Sequence, residues 1–189
     1  MGSLLPLSAS MSHADVVTLR SQPQRHLFGV RRSLIVPGKF SNGPYTDLLF
    51  YNASEGIGQF WQTDGEGNIS RVGVPNTDWL KTWSLIILGK FSNGRFTDLL
   101  FYDRAAGIGE FWSTDGEGNV SRIGTNTDWR KDWAMIIPGN FSGGRSTDLL
   151  FYEPTGLGEF RRIDEHGNDT LIAAHHDFRK NCSTIVNLF

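Results

Sequence analysis

Gly89-Lys90-Phe91-Ser92-Asn93-Gly94-Arg95-Phe96-Thr97-Asp98-Leu99-Leu100-Phe101-Tyr102-Asp103 decides the fold, because the chain writes it three times. The first copy begins at Gly38-Lys39-Phe40 and ends in Thr46-Asp47-Leu48-Leu49-Phe50-Tyr51, and the third runs from Gly139-Asn140-Phe141 to Thr147-Asp148-Leu149-Leu150-Phe151-Tyr152. Around this string the likeness extends to whole repeats, at about 34–84, 85–134 and 135–184. A period of roughly fifty residues marks a supersecondary unit that cannot bury its apolar face alone and must stack on its neighbours. Such a chain reads as a scaffold for recognition more readily than as an enzyme.

Inside each repeat the apolar residues alternate or form short runs, bounded by Gly, Asn, Asp and Pro, which is a strand pattern and not a helical one. Four strands per unit are expected; in the second copy they are Ser84 to Leu88, Thr97 to Tyr102, Gly109 to Thr114 and Asn119 to Ile123. Asn93-Gly94 and Asp115-Gly116 supply the tight turns between them. The fold class is therefore all-β, a β-propeller of four-stranded antiparallel blades, with the β-trefoil as the alternative for three four-stranded units. Residues 1–14 are set apart as a poorly ordered N-terminal segment, and 15–189 form the repeat domain. The segments Asp15 to Leu19 and His26 to Arg32 read as a worn third-to-fourth-strand region and the linker after it. Ser183 to Phe189 reads as a first strand, so these ends would make a composite blade beside the three full ones, within one chain or in a homo-oligomer.

Composition narrows the function classes. With 39% hydrophobic and 20% charged residues the chain is an ordinary globular sequence, and a net charge of -2 supplies no basic field for nucleic acid. No apolar run is long enough for a membrane helix. Cys182 is the single cysteine, so no disulfide forms within the chain. The phosphate-binding loop, the G-x-S-x-G elbow and the H-E-x-x-H zinc motif are all missing, and His175-His176-Asp177 reads as a solvated loop. No catalytic residue and no cofactor is assigned.

The string at 89–103, continued by Gly107-Ile108-Gly109-Glu110-Phe111-Trp112, resembles FG-GAP/VCBS-type propeller repeats and is similar to those of bacterial propeller lectins. The resemblance implies a secreted or cell-surface module that binds a glycan or glycoconjugate without catalysis, or a structural, protein-interaction propeller with no sugar ligand. It also raises calcium, since some such repeats hold the ion in the loop after the first strand. Here the loops keep Asp47, Asp98 and Asp148, but Gly, Lys, Phe and Ser stand where further acids are needed, so no metal is assigned and each Asp is expected to cap its loop. Asp64, Glu66 and Asn68, repeated as Asp115, Glu117 and Asn119, read as polar hairpin turns.

Aromatic residues carry the binding expectation. The motif Thr-Asp-Trp-x-Lys-x-Trp places Trp79 and Trp83, then Trp129 and Trp133, on the linkers between units. An indole face packs on the C–H face of a sugar while neighbouring polar groups take its hydroxyls. One indole of each pair, Trp83 and Trp133, is assigned to packing. Trp79 and Trp129 are assigned to ligand, with Asp78, Asn76, Asp128, Arg130 and Asn126 as polar partners. On the third strands, alternation turns one of Phe60 and Trp61 inward, and likewise one of Phe111 and Trp112.

Overall fold

The computed structural model describes residues 33–182. The expectations for the N-terminal segment, for Asp15 to Arg32 and for the pairing of Ser183 to Phe189 lie outside those residues. Within them are twelve strands and no helix. The first unit holds β1 (Leu34–Gly38), β2 (Asp47–Asn52), β3 (Ile57–Thr63) and β4 (Ile69–Asn76). The second holds β5 (Leu85–Gly89), β6 (Asp98–Asp103), β7 (Ile108–Thr114) and β8 (Val120–Asn126). The third holds β9 (Met135–Gly139), β10 (Asp148–Tyr152), β11 (Gly158–Ile163) and β12 (Asp169–His175). Each unit is a separate antiparallel meander in chain order. Because the described strands pair only within their own unit, the β-trefoil alternative fails: its barrel needs hydrogen bonds between strands of different units.

The buried residues lie between sheets, not within one. Period-two alternation gives every second strand two apolar sides. Leu49 and Tyr51 of β2 join Phe40, Phe60, Trp79 and Trp83 in a core that also takes Leu99 and Phe101 from β6. The other side of β6, Leu100 and Tyr102, joins Phe91, Phe111, Trp129 and Trp133 against Leu149 and Phe151 of β10. Each unit thus has a leading face, turned toward the unit before it, and a trailing face, turned toward the unit after it. The middle strand β6 is buried at every position, whereas β2 alternates between buried and half-buried. A sheet with two apolar faces gains most of its hydrophobic stabilisation only when both are covered.

Two clasps pin each junction. At one edge Lys39 N–H donates to Thr97 Oγ1 at 2.9 Å while Thr97 N–H returns a bond to Lys39 O at 2.9 Å. Lys90 and Thr147 repeat the exchange at 2.8 Å in both directions. At the other edge Asn76 Nδ2 donates to Gly118 O at 3.2 Å, and Asn126 Nδ2 to Gly167 O at 3.0 Å. Backbone runs so close there that a Cβ on Gly73 would lie 2.4 Å from Glu117 O, and one on Gly124 would lie 2.2 Å from His166 O.

The loop carboxylates act as caps. Asp47 Oδ2 accepts from the backbone N–H groups of Phe40 at 2.8 Å and Ser41 at 2.6 Å, and Asp98 and Asp148 do the same for Phe91–Ser92 and Phe141–Ser142. All three carboxylates are buried. Lys90 folds its ammonium into its own loop, donating to the carbonyls of Gly94 at 3.4 Å, Arg95 at 2.7 Å and Phe96. Burial holds its pKa below the usual lysine range, with the Asp98 charge pulling the other way.

The hairpins between third and fourth strands repeat a second device. Asp64 Oδ1 accepts from the N–H groups of Glu66 at 2.8 Å and Asn68 at 3.0 Å, while Asn68 Nδ2 donates to Asp64 Oδ2 at 2.6 Å. Asp115 with Asn119, and Asp164 with Asn168, are bonded in the same way. The Asn side chain is the chief cause holding the carboxyls of Asp64 and Asp164 below the ordinary aspartate value. At Asp115 slight burial, the largest single effect, pushes upward, and the bonds from Asn119 and Glu117 together outweigh it.

Two outcomes follow for stability. A pKa lower in the folded chain than in the unfolded one contributes stability above the unfolded value, about 3.9, and that contribution disappears as pH falls through the depressed folded value. Denaturation midpoints should therefore decline below about pH 4, and an Asn119→Ala variant measured over the same range should decline less. Separately, Gly109→Ala would set a Cβ 2.2 Å from the Trp129 ring. It should cost about 1–3 kcal/mol in chemical denaturation, whereas Gly144→Ala, whose nearest neighbour is Ser142 Oγ at 3.6 Å, should stay within about 0.5 kcal/mol of the parent.

Candidate functional site

Trp79 sits between two sheets. Its indole lies on Gly58 of β3, where a Cβ would stand 2.1 Å from the ring, and its ring centroid is 4.7 Å from that of Phe101 on β6. Trp129 repeats this on Gly109 and on Phe151, at 4.8 Å. Trp83 and Trp133 pack on the same two phenylalanines at 5.3 and 5.4 Å. Trp79 and Trp83 are each 7% exposed, and Trp129 and Trp133 are 5% and 1% exposed, so all four indoles are buried. Both indoles of each pair are buried against the neighbouring unit, the first because a glycine on the third strand opens a slot that it fills.

The polar residues of the expected site separate into two groups. Asn76 and Asn126 spend their amides on the clasps just described. Asp78 and Asp128 remain exposed on the linkers. Arg130 lies 5.0 Å over the Trp133 ring and is held by Asp132 at 2.6 Å and Glu153 at 2.8 Å.

A cleft of about 220 Å³ opens at the first junction, and it brings Asp78 and the edge of Trp79 together with Glu110, Trp112 and Arg122. The last three come from the leading face of the second unit. Glu110 and Trp112 are two residues apart on β7 and so share a side, with Phe111 fully buried on the other. Arg122 faces Trp112 in the β7–β8 register. Glu110 Oε2 accepts from Trp112 Nε1 at 3.1 Å, and its Oε1 lies 3.6 Å from Arg122 Nη1. The carboxylate is largely shielded, while the guanidinium is mostly exposed. The result is a half-exposed indole plane with two acids and one base around it.

The same positions are filled differently at the second junction. Glu159 and Arg161 take the places of Glu110 and Trp112 on β11. Arg161 binds Glu159 at 2.6 Å and also pairs with Asp169, which accepts from Trp129 Nε1 at 3.2 Å. Leu171 stands where Arg122 stood, opposite Arg161 in the register. An internal ion-pair network thus occupies the space that the first junction leaves as a cleft. The first unit carries the triad again, as Gln59, Trp61 and Arg71, with the Arg71 guanidinium 5.3 Å over the Trp61 ring.

Sequence reasoning passed over Glu110 and Arg122, although a signal was present. Glu110-Phe111-Trp112 on a strand with buried Phe111 puts the acid and the indole on one outward side, and the repeat shows Gln59-Phe60-Trp61 beside it. The outward turn of Trp61 and Trp112 agrees with the alternation expected from the sequence, both being half-buried next to fully buried Phe60 and Phe111. Among the described residues no three acidic, histidine or cysteine side chains form a set that would hold a metal ion. No protein-family model matches the chain, and no curated protein does.

The burial of all four linker indoles gives a direct check. Trp79→Ala and Trp129→Ala should each lower the unfolding free energy by about 3–5 kcal/mol, as should Trp83→Ala and Trp133→Ala. Equilibrium denaturation followed by far-ultraviolet dichroism measures all four on one scale.

Proposed function

We propose that the chain is a non-enzymatic, lectin-like module of the propeller-repeat kind, similar to FG-GAP/VCBS repeats, whose working site is the cleft at the first junction. The observation that carries this reading is the half-exposed Trp112 indole flanked by Glu110, Arg122 and Asp78 in that cleft. A pyranose has apolar C–H faces and a rim of hydroxyls. The indole covers one such face, the carboxylates accept from hydroxyl groups, and the guanidinium donates to ring or glycosidic oxygens. Glu110, already hydrogen-bonded to Trp112, holds the indole in place before any ligand arrives, which lowers the entropic cost of binding.

The repeated, stacked four-stranded sheets support the propeller part of the proposal, and the covering of each sheet by the next is the packing such a ring requires. A module of this kind takes glycan or glycoconjugate as partner and uses no cofactor. The second reading is a structural or protein-interaction module; the ion pairs of Arg161 with Glu159 and Asp169 favour it for the second junction, where they replace the sugar-facing arrangement.

The test is a glycan array followed by calorimetric titration of the best hits. Trp112→Ala should weaken binding by about tenfold or more, the equivalent of roughly 1.4 kcal/mol, and Glu110→Gln should weaken it less while leaving the fold intact. Ligand should also change tryptophan fluorescence in the parent and not in Trp112→Ala. An array without hits, or binding untouched by both substitutions, would leave the structural reading in its place.

A further inference from the structure

Among the described residues, the first and third units each keep one face that no other unit packs against, and the two faces are the halves of the junction that the chain already uses twice. On the leading side, Leu99 and Phe101 of the second unit and Leu149 and Phe151 of the third are fully buried, yet their counterparts Leu48 and Phe50 in the first are only half-buried. Ile35 is 63% exposed where Ile136 is buried. Thr46, the counterpart of the clasping Thr97 and Thr147, is exposed, and no residue across from it completes the clasp among the described residues. On the trailing side, Phe40 and Phe91 are fully buried while Phe141 is 41% exposed. Phe178, in the position of Trp79 and Trp129, lies on Gly158 as they lie on Gly58 and Gly109, but stacks on His175 at 5.3 Å instead of on a phenylalanine from a following unit.

We infer that a second copy of this chain covers these faces, head to tail, with the leading face of one copy seated on the trailing face of another. The occupant follows from what the junction demands. It needs a Thr-Asp-Leu-Leu-Phe-Tyr strand, whose Thr makes the clasp and whose Phe meets the linker aromatic. That string occurs at 46–51, 97–102 and 147–152 and nowhere in residues 1–32 or 183–189. The last two are already seated, so within this sequence the strand at 46–51 of another copy is the one that remains to fill it. The joint is heterologous, so copies add head to tail, in a ring where the rotation between them closes and in an open array where it does not.

The joint also completes a site. Gln59, Trp61 and Arg71 on the leading face of the first unit occupy the places of Glu110, Trp112 and Arg122 in the second. Asp177 stands on the third linker where Asp78 stands on the first. Docking brings Asp177 of one copy against the triad of the next, as Asp78 meets Glu110, Trp112 and Arg122. One part of the outer clasp has changed: by register Ala173 and His175 occupy the places of Gly124 and Asn126. A Cβ there crowds the incoming hairpin, so the joint between copies is weaker than the joints within one chain and depends on concentration.

The experiment is sedimentation velocity with native mass spectrometry on the full chain, without sugar, across a wide concentration range; it does not rest on the lectin reading. The expected result is a reversible assembly of several copies. Ile35→Asp and Phe141→Asp, each at an exposed position, should separately give single chains. Mixing the two variants should restore one joint and give a heterodimer, since each keeps the face the other has lost. Ala173→Gly with His175→Asn should tighten the assembly by about tenfold. A single-chain mass for the parent at every concentration overturns the inference, as does an assembly that both aspartate variants leave unchanged or a mixture that fails to reassociate.

Discussion

Everything in this molecule depends on an aromatic ring from one sheet reaching the next sheet through a gap left by glycine. Gly58 and Gly109 leave their strands without a side chain, Trp79 and Trp129 fill the slots, and the far faces of those indoles meet Phe101 and Phe151. A meander with apolar residues on both sides is not stable in water alone. The indole therefore serves two sheets at once, and the chain path of the linker, the spacing of the units and the burial of the Thr-Asp-Leu-Leu-Phe-Tyr strands all follow from where it sits.

Much of this was legible in the sequence. The period gave the units, alternation gave the strands, and the turn residues gave the hairpins; the second unit's strands fall within a few residues of their expected bounds, with β8 running three residues further, to Asn126. The loop aspartates were legible as caps because too few acids stand near them for a cation. What the sequence hid was the division of labour among aromatics. A tryptophan on a linker reads equally as platform or wedge, and only the glycine across the sheet from it, which is close in space and distant in sequence, decides between the two. The clasps made by Asn76 and Asn126, at the ends of β4 and β8, were hidden for the same reason: their partners Gly118 and Gly167 are some forty residues away.

The two junctions show how a repeated scaffold separates structure from chemistry. The clasps and wedges recur almost unchanged, and the variation falls at three outward positions per sheet: Gln59, Glu110 and Glu159; Trp61, Trp112 and Arg161; Arg71, Arg122 and Leu171. These positions touch the neighbouring unit without carrying the core, so they change at small cost to stability. At the second junction the exchange of an indole for a guanidinium is balanced by Asp169, which keeps the added charge paired.

The burial of the second strands sets a gradient along the chain. β6 is covered at every position, β2 is half-buried in alternation on its leading side, and Leu150 of β10 is half-buried on the trailing side. Each of the three described units draws stability from its neighbours, so the middle one, packed on both sides by its siblings, is the last of the three to exchange its amide protons with solvent. The middle repeat is thus the kinetic anchor of the chain. Its amides report on global unfolding, while those of the outer repeats report on the capping of their faces.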